Sequence, residues 1–167
     1  MGLFSFIKDA GEKLFGSGEA KAAQDAAAKA PTPESTALAN TKAAEAIRNY
    51  IDALKLATPD LTIRFEGASG TVTVGGSAPD QATKERILLA AGNVQGVSQV
   101  EDQMTVLKAE PEAKFHTVVR GDTLSAIAKA HYGNANKYMA IFEANKPMLS
   151  HPDKIYPGQV LRIPPQA

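Results

Sequence analysis

The run Phe115-His116-Thr117-Val118-Val119-Arg120-Gly121-Asp122-Thr123-Leu124-Ser125-Ala126-Ile127-Ala128 limits what this chain can fold into more than any other stretch. It opens with strand-like alternation, breaks at Gly121 and resumes with apolar residues at helical spacing. Gly121 can take the positive φ of a tight turn, and Asp122 or Thr123 can cap the helix by accepting its free N–H groups. That helix is expected over Thr123 to His131, with Leu124, Ile127 and Ala128 inward. A second is expected over Lys137 to Ala144, with Tyr138, Ile141 and Phe142 inward. A Pro157-Gly158 turn then feeds the strand Val160 to Ile163. Strand, helix, helix and strand thus make a small closed unit over residues 114–165.

These residues resemble a LysM domain, which implies a βααβ fold. The preceding chain has room for a second small domain in its 167 residues. It contains no Cys and no Trp, so disulfides and thiolate metal sites are excluded and the cores must be mainly aliphatic. Its 18 basic and 18 acidic side chains cancel and are spread along the chain, which argues against nucleic acid as a partner.

At the N-terminus, Leu3, Phe4, Ile7, Ala10, Leu14 and Phe15 recur at helical spacing, so residues 1–15 read as a short amphipathic helix with a break at Gly11. Such a helix can lie on a membrane, dock on a partner or pack on its own chain. The low positive charge removes electrostatic support for the membrane, and docking on the following domain is expected. Lys8, Asp9, Glu12 and Lys13 interrupt any apolar run of the kind a secretory signal needs, so a cytoplasmic location is expected. Residues 16–40 are rich in Ala, Ser, Gly, Pro, Glu and Lys. They read as a flexible tether, with a fraying helix over Ala20 to Ala30 stopped by Pro31-Thr32-Pro33.

From Thr41 a compact unit is expected to residue 108. Ala43, Ala44, Ala46, Ile47, Tyr50, Ile51, Leu54 and Leu56 mark a helix. Leu61 to Gly67 and Gly70 to Gly76 alternate as a hairpin. Ser77 to Ala91 reads as a second helix, with Ala82, Ile87, Leu88 and Ala91 inward and Asp80, Lys84, Glu85 and Arg86 outward. Gly92-Asn93-Val94-Gln95-Gly96-Val97 then turns the chain into a third strand, Ser98 to Leu107. The Gly70-Thr71-Val72-Thr73-Val74-Gly75-Gly76 strand, the helix after it and the Gly92–Val97 turn resemble a BON domain, of order αββαβ. Residues 109–113, with Pro111, form a linker. The fold class is therefore α+β, with two small domains and an N-terminal amphipathic helix.

Met1-Gly2-Leu3-Phe4 and Lys8-Asp9-Ala10-Gly11-Glu12-Lys13-Leu14, ahead of a BON and then a LysM unit, resemble the cytoplasmic potassium-binding protein (Kbp) family. That resemblance implies K⁺ as the ligand and a sensor that becomes compact and stable on binding it. K⁺ is large and singly charged, and neutral oxygens such as backbone carbonyls suit it, whereas carboxylates favour Ca²⁺ or Mg²⁺. Helix C-termini leave carbonyls free. On residue patterns alone, Gly92 and Gly96 read as a helix cap and a turn. The resemblance instead implies a site of main-chain oxygens from Ile7, Ala10, Glu12, Gly92, Val94 and Val97.

His116, His131 and His151 lack the spacing of a zinc site, and no nucleophile has an accompanying base, so catalysis is not expected. The alternative function is binding of peptidoglycan or another N-acetylglucosamine polymer. The LysM resemblance places that groove at Gly121-Asp122-Thr123-Leu124 and Asn145-Lys146-Pro147-Met148. A monomer without nucleic-acid or membrane partners is expected.

Overall fold

A computed structural model describes residues 2–5, 33–94 and 96–165. The fold is α+β, with strands β1 (Gly2–Ser5), β2 (Thr62–Glu66), β3 (Thr71–Asp80), β4 (Gln99–Lys108), β5 (Lys114–Thr117) and β6 (Val160–Ile163). The helices are α1 (Pro33–Ala53), α2 (Gln81–Gly92), α3 (Leu124–Tyr132) and α4 (Tyr138–Ala144), with a 3₁₀ turn over Ala135–Lys137.

The first unit is a mixed sheet of order β1-β4-β3-β2. A tight turn joins β2 to antiparallel β3, and α2 is the crossover that lets β4 run parallel to β3. Helix α1 packs on β2 and on α2, which itself lies across β3 and β4. Ile47, Ile51, Phe65, Val72, Val74, Ile87 and Val100 fill the core between helices and sheet. Thr62, Arg64, Glu66, Gln103 and Thr105 are exposed at the alternate strand positions, so period-two patterning gives one dry and one wet face.

Three expectations about the elements change. Residues 2–5 were expected in a helix but form β1, paired antiparallel to β4 from Gly2↔Asp102 to Ser5↔Gln99. An exposed sheet edge offers these residues backbone partners that outweigh helical spacing over so short a stretch. The rest of the expected N-terminal helix, and the Ala20–Ala30 segment, lie outside the described residues. Helix α1 begins at Pro33 rather than Thr41, inside the expected tether. Proline suits a first helical turn, where its missing N–H would have no partner. Finally, β3 continues to Asp80, and α2 starts only at Gln81. There Asp80 accepts from the Thr83 N–H at 2.7 Å, an N-cap that holds its carboxyl below the usual range.

The second unit pairs β5 with β6 antiparallel, from Lys114↔Ile163 to Thr117↔Val160. Gly121 turns the chain at φ +93°, and Thr123 caps α3 by accepting from the Ala126 N–H at 3.1 Å. Helix α3 ends at Gly133, in the left-handed region at φ +72°. Its core is Val118, Leu124, Ile127, Ile141, Phe142, Leu149, Leu161 and Ile163. Leu89 of α2 belongs to that cluster, and Leu54 packs against both cores. Two strands and two short helices enclose little apolar volume, so the first unit supplies part of the second's core. Among the described residues, no helix is long and apolar enough to cross a membrane.

Candidate functional site

The C-terminal end of α2 is built from consecutive buried residues. Leu88, Leu89, Ala90 and Ala91 are all at most 3 % exposed, which fixes the helix end between sheet and neighbour. The Asn93 N–H donates to the Leu89 carbonyl at 3.0 Å, closing the last turn. Gly96, at φ +91°, then takes a conformation that a side chain would strain. The Val97 N–H donates to the Val94 carbonyl at 3.2 Å, and the Ser98 and Gln99 N–H groups share the Gly70 carbonyl. Val94 and Val97 send their side chains into the first core, at 5 % and 0 % exposure.

Three of the residues expected at the ion site, Gly92, Val94 and Val97, therefore share one buried turn of neutral groups. The Val94 carbonyl already accepts one hydrogen bond, while those of Gly92 and Val97 carry no loop or turn hydrogen bond among the described residues. Ile7, Ala10 and Glu12 lie outside the described residues. What is described of the N-terminal chain is its direction: β1 ends at Ser5 opposite Gln99, at the end of β4 that adjoins this turn. Among the described residues, no group of three or more His, Asp or Glu side chains converges as a metal site.

Sequence reasoning missed the polar groups that surround α2. Glu85 was expected outward but is 2 % exposed. Its Oε1 accepts from Arg162 Nε at 2.7 Å, and its Oε2 accepts from the Ala113 N–H at 2.9 Å and from Gln81 Nε2 at 3.3 Å. Arg86 donates to the Ala144 and Glu143 carbonyls at 3.3 and 3.4 Å, against the negative end of α4. Lys84 is held 2.8 Å from the buried carboxylate of Asp102. Glu85 and Arg86, which read as solvent-exposed in one small domain, lie on the seam between two, while Lys84 pairs within its own domain. Tyr50 and Tyr156 are both mostly buried, and burial raises both phenols, leaving them neutral.

At the glycan-groove residues, Gly121 and Thr123 are exposed while Leu124 is buried, and Lys146 and Pro147 are exposed while Asn145 and Met148 are buried. Beside them, His116 Nε2 lies 2.9 Å from Asp122 Oδ2, and His116 Nδ1 lies 3.3 Å from His131 Nε2. The His116 contact and the Val119 N–H hold the Asp122 carboxyl below its usual range. Burial, then the neighbouring His116 and Lys114, lowers His131.

An αββαβ unit docked through its crossover helix on a βααβ unit defines the class: a two-domain BON–LysM binding protein. The sequence matches the BON domain over residues 39–108 and the LysM domain over 116–164. It is 46 % identical over 98 % of its length, and 99 % of the relative's, to "Potassium binding protein Kbp" of Escherichia coli O6:H1 (strain CFT073). The chain belongs to the Kbp family. A second relative, an uncharacterized protein of Deinococcus radiodurans, is 39 % identical over 44 % of this chain and 33 % of its own.

Proposed function

We propose that this protein is a cytoplasmic, monomeric K⁺ sensor without enzymatic activity. Main-chain carbonyls of Gly92, Val94 and Val97 on the BON turn, with those of Ile7, Ala10 and Glu12, take the ion. The observation that carries this reading is the placement of β1. Its antiparallel register ends β1 at Ser5 opposite Gln99, at the end of β4 that adjoins the turn, so segments far apart in sequence can supply one ring of oxygens. The turn fits K⁺ chemically: it is buried and neutral, and Gly92 and Gly96 let the backbone curve. With β1 already paired to β4, closing such a ring would draw the chain after Ser5 onto the BON domain as well, and this is the compaction and stabilisation expected of the sensor. The name of the Escherichia coli relative supports the same ligand.

Thermal melts in KCl against NaCl at equal ionic strength test this, because a ligand bound only by the folded state raises the melting temperature as it exceeds its Kd. Selective stabilisation by KCl is expected. Equal shifts for the two salts would sink the proposal. Deleting residues 1–15 is expected to abolish the selective shift while leaving the LysM domain folded, and an unchanged K⁺ midpoint would move the site elsewhere.

The LysM match and the exposed Gly121, Thr123, Lys146 and Pro147 favour a second reading, binding of an N-acetylglucosamine polymer. Retention on insoluble peptidoglycan, with no K⁺ selectivity in the melts, would establish that function instead.

A further inference from the structure

One side chain of the ion turn leaves its own domain. Asn93, 4 % exposed, projects onto β6 of the LysM domain and treats Val160 as an adjacent strand would. Its Nδ2 donates to the Val160 carbonyl at 3.0 Å, and the Val160 N–H donates back to its Oδ1 at 3.0 Å. Asn93 Nδ2 also lies 3.3 Å from the sulfur of Met148. At Arg162, the next residue of β6 facing the same way, Asn145 does the equivalent from within the LysM domain. The Arg162 N–H donates to Asn145 Oδ1 at 2.7 Å, and Asn145 Nδ2 donates to the Arg162 carbonyl at 2.9 Å. With β5 on its other side, β6 has one edge closed by a strand and the other by two asparagines, only one of them its own.

The consequence for the turn follows from peptide planarity. The Gly92 carbonyl and the Asn93 N–H belong to one rigid peptide unit. That unit is tied at one end by the Asn93 N–H to Leu89 bond, and the Asn93 side chain is tied by Val160. Moving Asn93 would strand the Val160 N–H and carbonyl in a buried seam, so β6 resists any rotation of the peptide.

We infer that Asn93 is a positioning residue for K⁺: clamped on Val160 of the LysM strand, it fixes the direction of the Gly92 carbonyl and its neighbours. This rests on the K⁺ reading above and adds a role for the LysM domain as the outer support of the BON ion turn. Asn93 acts through the backbone and its side chain need not touch the ion.

The test uses the full chain and K⁺ titrations by thermal shift, with NaCl replacing KCl at constant ionic strength, on wild type, Asn93→Ala, Asn93→Asp and Asn145→Ala. Asn93→Asp keeps the acceptor for Val160 but sets an oxygen against its carbonyl, so it serves if Asn93→Ala folds poorly. Glu85–Arg162 and Arg86 still join the domains in both. Loss of one buried pairing predicts that the K⁺ midpoint rises about tenfold or more in both Asn93 variants, with a smaller K⁺/Na⁺ ratio. Asn145→Ala is expected to melt lower without K⁺ yet keep the wild-type midpoint and ratio. Asn93 variants that keep both values would overturn the inference and leave the K⁺ reading standing. Equal midpoint shifts in the Asn93 and Asn145 variants would overturn it too, since any loosening of the LysM domain would then suffice. Wild type without K⁺ selectivity would overturn both.

Discussion

At Glu85 a residue's type and its environment disagree most. A carboxylate at 2 % exposure is sustained by Arg162, the Ala113 N–H and Gln81, so removing it leaves the guanidinium of Arg162, itself 7 % exposed, without its charge partner. Breaking a buried pair from one side costs about 3–5 kcal/mol. Glu85→Ala is therefore expected to lower the urea midpoint strongly, and the double variant Glu85→Leu with Arg162→Met to recover much of the loss. A double variant no better than the single one would mean the pair is not the cause. Gly76 is the backbone counterpart. At φ +117°, an added Cβ would stand 2.7 Å from the Asp60 carbonyl oxygen, whereas one added at Gly121, φ +93°, meets nothing within 4 Å. Positive φ alone costs a side chain about 1–3 kcal/mol. In parallel urea unfolding, Gly76→Ala is expected to lose clearly more stability than Gly121→Ala, and equal losses would refute the steric argument.

Elements were legible where one physical signal dominated. The structure follows the period of two in β2 and the first part of β3, though β3 runs on to Asp80, and it follows the Gly121 break before α3, with Thr123 rather than Asp122 as the cap. Where signals competed, context decided. Leu3 and Phe4 have helical spacing, yet the free edge of β4 made residues 2–5 a strand. At the candidate site the turn was legible from Gly92 and Gly96, but Asn93 was not. An asparagine after a helix reads as a cap, and nothing local marks a partner at Val160, far along the chain. In the same way β5 and α3 bring His116, Asp122 and His131 together from separate segments. Because burial, His116 and Lys114 hold His131 below its ordinary value, the unfolded chain takes up the proton first as pH falls. That stabilisation is fully present above about pH 6.5 and is lost on acidification through the lower folded value. Asp122, also lowered, contributes above about pH 4 and loses its share only below that. Melting temperatures from about pH 8 to 2 should therefore fall first through the histidine range and again below about pH 4. His131→Gln should flatten that limb while leaving the acid limb intact, and an unchanged histidine limb would place its origin elsewhere.

At the scale of the whole molecule, the two domains share a core as well as a hydrogen-bonded seam. Leu89 is carried by the BON crossover helix but is 2 % exposed within the LysM cluster, beside a two-stranded sheet too small to bury its own apolar face. Neighbouring Glu85, Arg86 and Asn93 satisfy LysM polar groups from the same helix and turn. The BON core, by contrast, closes between its own sheet and helices. Dependence should thus be one-sided: the LysM domain needs α2 more than the BON sheet needs the LysM domain. Leu89→Ala, a large-to-small change at a buried site, should cost about 2–5 kcal/mol. Hydrogen exchange can locate where that loss falls. Amides of β5, β6 and α4 should lose protection, although the substitution lies in the other domain, while those paired between β2 and β3 should keep theirs. Loss confined to the BON strands would mean that Leu89 supports its own domain and that the shared core carries no coupling. Loss spread evenly over both domains would instead make the whole chain a single cooperative unit, with no reserve of BON stability when the seam is weakened.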